Sequence, residues 1–112
     1  METSSPTETT HLQALHESAE QACRLMKVLS NRDRLMILCQ LSQGELRVGE
    51  IEAQLGIVQP TLSQQLTVLR DEALVSTRRE GKNIYYQLSS PQVMAVIGVL
   101  YAQFCPQPEN PA

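Results

Sequence analysis

From Ala53 to Leu69 the chain reads AQLGIVQPTLSQQLTVL, a run without a single charged side chain. Gly56 breaks the run, and Pro60 can open a new helix because its fixed φ suits a first turn. Leu62, Leu66 and Leu69 then recur at i, i+4 and i+7, which sets them on one helical face. The opposite face carries only amides and hydroxyls: Gln59, Thr61, Ser63, Gln64 and Thr67. A solvated helix face ordinarily uses Lys and Glu. Amides and hydroxyls both donate and accept, which suits the hydrogen-bonding groups on DNA base edges. Val48 to Leu55, just upstream, reads as a short helix that stops at Gly56. Two short helices joined so tightly make a helix-turn-helix, with duplex DNA as the expected partner.

The rest of the chain supplies three more helices and a hairpin. Leu12, Leu15, Ala19, Ala22, Met26 and Leu29 alternate three and four apart, the narrow seam of a pairing helix. Ser30 can cap the next helix, with Asp33 at the capping-box position and RLMILCQL as its buried body. Gly44 ends it. After Glu72 the period changes to two: Ile84, Tyr86 and Leu88 alternate with Tyr85 and Gln87, as in a half-buried strand. Leu74 to Arg79 is its expected partner across the turn Glu80-Gly81-Lys82-Asn83. Ser90-Pro91 caps a last helix, VMAVIGVLYAQFC, which Pro106 terminates. The expected organisation is a disordered tail over 1–10, one domain over 11–105 and a linker-like tail over 106–112.

Net charge is −3, which argues against nucleic acid until its distribution is considered. Residues 1–20 carry four Glu and no cation, and Glu109 adds a negative charge near the end. Residues 21–88 hold all nine basic residues against seven acidic ones, a balance of +2. The folded part is mildly basic between acidic flanks. Aromatic residues make up 4% and Trp is absent, which disfavours a binder that stacks single-stranded bases. No apolar run approaches a bilayer span and Met1 to Thr10 is unlike a signal peptide, so the cytoplasm is the expected compartment, with no membrane partner.

The closing helix is apolar on nearly every side, with Val93, Met94, Val96, Ile97, Val99, Leu100, Tyr101 and Phe104. A domain this small cannot hide such a surface within one protomer. Together with the seam of the first helix, this predicts a homodimer built from the two terminal helices. The alternative is a monomer wrapped around a central closing helix.

Helix, helix, helix-turn-helix, basic two-stranded wing and closing helix is the order of a mainly α, winged helix-turn-helix repressor. The segments LSNRDRLMILCQL, VGEIEAQLGIVQPTLSQQLTVLRDEALV and RREGKNIYYQL resemble the ArsR/SmtB family, and the resemblance spans nearly all of residues 12–105. It implies a dimeric repressor that binds a palindromic operator and releases it on a signal. It places Gln59, Thr61, Ser63, Gln64 and Gln65 where the recognition helix meets the major groove. Arg78, Arg79 and Lys82 fall on the wing, where backbone or minor-groove contact is implied. Solvation without a DNA role is the competing reading for Gln65 and for the three wing cations.

Many family members sense metals, but their usual ligands are missing. The segment that matches their Cys-x-Cys pair is Leu46-Arg47-Val48-Gly49-Glu50, without a thiol, and the closing helix has neither His nor carboxylate. His11 and His16 are five apart, a poor spacing for one helix face. No metal and no cofactor is expected at those sites. LMILCQL and YAQFCP resemble the dithiol-sensing subgroup of BigR, SqrR and HlyU regulators in context and separation. That resemblance implies a redox pair, Cys39 and Cys105, linked by persulfides, other reactive sulfur species or oxidants. Cys23 receives no role.

Three readings compete with this one. An arsenite or soft-metal repressor could use the same thiols. A thiol-independent regulator would act by displacing other DNA-bound proteins. A thiol-dependent enzyme needs a base beside its thiolate, and the helices bearing Cys39 and Cys105 contain no His.

Overall fold

The structure is a computed structural model that describes residues 6–105, with side chains from residue 10 onward. The expected tail over 106–112 lies outside the described residues, as does the start of the N-terminal one.

Helix α1 spans Pro6–Leu29. It begins inside the segment whose polar composition predicts a tail, so Pro6 to Thr10 are helical rather than irregular. Every residue from 10 to 24 is exposed, so the apolar seam at Leu12 and Leu15 has no cover among the described residues. The C-terminal end of α1 turns inward, where Val28 and Leu29 join the core.

Helix α2 (Arg32–Leu41) is capped by Asn31, whose Oδ1 accepts from the Arg34 N–H at 2.9 Å. The cap therefore lies one residue beyond the expected Ser30. Asn and Ser cap equally well, and the Ser30 hydroxyl is occupied in donating to the Lys27 carbonyl at 3.0 Å. Ile37 and Leu38 are fully buried, which makes α2 the centre of the core.

A two-residue strand, β1 (Leu46–Arg47), leads into α3 (Val48–Leu55). Sequence periodicity cannot reveal a strand so short. Gly56 ends α3 with a φ of 70°, in the left-handed region that a side chain would disfavour. Helix α4 (Thr61–Asp71) follows and buries Leu62, Leu66 and Leu69, the three residues aligned by their spacing.

Strands β2 (Val75–Glu80) and β3 (Asn83–Leu88) pair antiparallel from Val75↔Leu88 to Glu80↔Asn83. The turn is thus only Gly81-Lys82, with Gly81 at φ 64°. On its other edge β3 pairs with β1 through Leu46↔Tyr86 and Arg47↔Tyr85, giving a three-stranded order β1-β3-β2. Ala73, between α4 and β2, takes a φ of 61°; its N–H donates to the Arg70 carbonyl and that of Leu74 to the Leu69 carbonyl.

Helix α5 (Pro91–Phe104) starts as expected, with Ser90 Oγ accepting from the Val93 N–H at 3.2 Å and Pro91 in the first turn. It buries Val93 and Ile97 completely. Met94, Val99 and Phe104 stay exposed, Phe104 at 80%. No helix among the described residues is long and apolar enough to cross a membrane.

Candidate DNA interface and thiol pair

The leucine face of α4 is fixed in the core, so its polar face must point outward. Ser63, Gln64 and Thr67 are exposed, as is Gln59 just ahead of the helix, and Thr61 is half-buried. Gln59 does more than present an amide. Its Oε1 accepts from the Ser63 N–H at 3.0 Å and from the Ser63 hydroxyl at 2.7 Å, which satisfies one of the orphan donors of the first turn. The Thr67 hydroxyl donates to the Ser63 carbonyl at 2.9 Å.

Gln65 faces another way. It is half-buried, and its Oε1 accepts from Arg34 Nη1 at 2.9 Å. The same guanidinium donates through Nε to the Val28 carbonyl at 2.7 Å. Arg34 thereby joins the end of α1, the start of α2 and the middle of α4. Sequence reasoning did not single out Arg34, whose partner stands 31 positions away.

The wing cations separate in the same manner. Arg79 and Lys82 are exposed. Arg78 is held between two carboxylates: its Nε lies 3.0 Å from Glu45 Oε2, its Nη2 2.6 Å from Glu45 Oε1, and its Nη1 2.7 Å from Glu80 Oε1. The guanidinium also stacks 4.5 Å from the centroid of the Tyr85 ring. Hydrogen bonding to Glu45 first, and to Glu80 second, holds the Arg78 proton more firmly than usual. Reciprocally, that bond draws the Glu45 carboxyl below its ordinary range, against the opposing effect of burial. Glu45 sits in the turn between α2 and β1, so Arg78 anchors the wing to the loop that follows α2.

The structure brings Cys39, on α2, and Cys105, at the end of α5, to one cavity of about 340 Å³. Its other walls are Leu35, Met36, Gln40, Leu55 and Tyr101. Both cysteines are half-buried thiols. Burial pushes the Cys39 thiol up from its ordinary pKa; the neighbouring Cys105, to which it is hydrogen-bonded, pushes it further. Cys23 stands apart, exposed on α1. Among the described residues no group of three or more His, Cys, Asp or Glu is placed to hold a metal ion.

A helix whose buried leucines force an amide and hydroxyl face outward, beside a basic hairpin, defines a winged-helix DNA-binding regulator. Comparison with known proteins agrees. Residues 31–77 match the family model described as bacterial regulatory protein, arsR family. The chain is 50% identical to the biofilm growth-associated repressor of Agrobacterium fabrum over 88% of its own length and 85% of that protein. The crystal structure of the transcriptional repressor BigR from Xylella fastidiosa superposes with a TM-score of 0.80 at 44% identity, covering 88% of this chain and 97% of that one. Reduced HlyU from Vibrio cholerae gives 0.80 at 40% identity, covering 84% and 99%. The chain belongs to the ArsR family of bacterial transcriptional regulators, in the group that contains BigR and HlyU. Its relatives are DNA-binding regulators and not enzymes.

Proposed function

We propose that this protein is a homodimeric repressor that leaves a palindromic operator when Cys39 and Cys105 become covalently linked. The observation that carries the proposal is that these two thiols, 66 positions apart in sequence, share one cavity and a hydrogen bond. With a persulfide RSSH as the inducer the step balances as two thiols oxidised to one disulfide, with RSH and hydrogen sulfide released. A peroxide would achieve the same two-electron oxidation. Inserted sulfur atoms would lengthen the link without changing which helices it joins. Cytosolic links of this kind are reversible and regulatory.

The dimer reading rests on the apolar side chains left in water by the two terminal helices. Leu12, Leu15 and Met26 of α1 and Met94, Val99 and Phe104 of α5 are each more than half exposed. A C2 dimer would bury them and set two recognition helices against half-sites about 34–36 Å apart. On DNA, Gln59, Thr61, Ser63 and Gln64 meet the major groove, and Arg79 and Lys82 meet the backbone from the wing. Gln65 supports the helix from behind, and Arg78 holds the wing in place.

A link between α2 and α5 acts on the spacing of the two reading heads, because α2 packs behind α4 while α5 belongs to the dimer contact. A typical allosteric coupling of about 1–3 kcal/mol weakens operator binding some 5- to 150-fold. The test is operator binding by reduced and persulfide-treated protein, alongside Cys39→Ser and Cys105→Ser. Wild type should release DNA and regain it on reduction, and both variants should stay bound. A variant that still lets go on persulfide treatment would remove the pair as the sensor.

A further inference from the structure

Apart from the thiols themselves, the cavity around Cys39 and Cys105 is walled by Leu35, Met36, Leu55 and Tyr101, with Gln40 as its amide. Among the described residues no charged side chain lines it. One N–H of the Gln40 amide donates to Gln54 Oε1 at 2.7 Å. A sulfur donor that reaches these thiols must bring its carrier group against those walls. Charged groups on the carrier would lose part of their water there and find no charged partner in the walls, whereas carbon atoms would gain by leaving water.

We propose that the cavity selects the inducing persulfide by its carrier, favouring persulfides of uncharged, apolar thiols over those of charged thiols such as glutathione. The proposal rests on the thiol-switch reading and names the class of molecule that throws the switch. The neutral hydrodisulfide R–S–SH is the electrophile, and a cavity walled by apolar side chains favours that form over its anion. The Cys105 thiolate attacks the outer sulfur, the S–S bond of the donor breaks, and RS⁻ leaves and takes up a proton. The Cys39 sulfur then attacks the inner sulfur of the Cys105 persulfide. Hydrosulfide departs with the Cys39 proton as hydrogen sulfide, and the Cys39–Cys105 disulfide remains.

The experiment treats the reduced full-length protein with benzyl hydrodisulfide and, separately, with glutathione persulfide. Formation of the Cys39–Cys105 link is followed by intact mass and operator release by fluorescence anisotropy. Each rate is divided by that of the same donor with a small free thiol, which removes intrinsic reactivity. The normalised ratio should favour the benzyl donor by about tenfold or more, the low end of what an apolar pocket discriminates. Gln40→Lys, which places a cation in the wall, should raise the glutathione rate and narrow the ratio. Equal normalised rates, or a ratio untouched by Gln40→Lys, would overturn carrier selection while leaving the switch intact. A wild-type protein that forms no link with either donor and stays on DNA would instead overturn the switch itself.

Discussion

Gln65 sits on α4 among the proposed base-reading residues, yet its amide oxygen accepts from Arg34 at 2.9 Å. If it is a strut, its removal should cost folding stability first and base recognition little. Gln65→Met keeps the length of the side chain and deletes the acceptor. A hydrogen bond to a charged group contributes about 1.5–3 kcal/mol, and the partial exposure of this pair places the loss near the lower end. Arg34 keeps its 2.7 Å bond to the Val28 carbonyl, so the guanidinium is not stranded. A loss of about 1.5 kcal/mol corresponds to a fall in Tm of about 6 °C or more for a domain of this size. Gln64, one residue earlier and exposed, provides the contrast. Gln64→Ala should leave Tm unchanged and weaken operator binding by about 1–3 kcal/mol, the worth of a bidentate base contact. Thermal unfolding at fixed protein concentration and anisotropy titration on operator and scrambled duplexes measure both quantities. A double-mutant cycle with Arg34→Lys should show coupling of about 1 kcal/mol between positions 34 and 65. A Gln65→Met protein that melts like wild type but loses its preference for the operator would refute the strut, for then Gln65 reads bases.

Other expectations concern the wing, the thiol pair and one strained residue. Glu45→Gln releases Arg78 from its main partner, so operator binding should tighten and its salt dependence should steepen by about one phosphate contact; an unchanged slope in titrations across salt concentrations would show that Arg78 stays off the DNA. The raised pKa of Cys39 predicts an alkylation midpoint above that of an ordinary cysteine, and Cys105→Ser should lower this midpoint only in part because burial is the larger cause. Since that pKa is raised by folding, its stabilising contribution is complete below the ordinary cysteine pKa and is lost as pH rises through the folded value; alkaline urea titrations of wild type and Cys39→Ser should diverge in that direction. Ala73 holds a φ of 61°, and Ala73→Gly should gain about 0.5–1 kcal/mol in chemical denaturation by relieving it.

Much of the architecture follows from patterns only a few residues long. The spacing of Leu62, Leu66 and Leu69 placed α4 and its outward face, and all three are buried. Gly56 ended α3, Ser90-Pro91 opened α5, and the alternation around Tyr86 located the wing. Local competition misled at two points. Ser30 and Asn31 are equally good caps, and the neighbouring helix end claimed the serine. A polar N-terminal segment reads as a tail, whereas its described residues 6–10 are helical. The strand at Leu46–Arg47 left no periodic trace because two residues hold less than one full alternation.

Which polar groups work together was another matter. Gln64 and Gln65 are adjacent amides on one helix, and nothing in their types distinguishes them. Packing of α2 against α4 gave one a hydrogen bond from Arg34 and left the other in water. Arg78 and Arg79 read alike as wing cations, but the loop carrying Glu45 lies beside only the first. Cys39 and Cys105 are joined in sequence by resemblance alone; the cavity between α2 and α5 is what places their thiols side by side. Backbone periodicity is a local property, so the sequence by itself determined roughly where most helices and the wing lie and which face of α4 turns inward. Partner choice across 31, 33 or 66 residues depends on how those buried faces stack, and only the tertiary structure decided it.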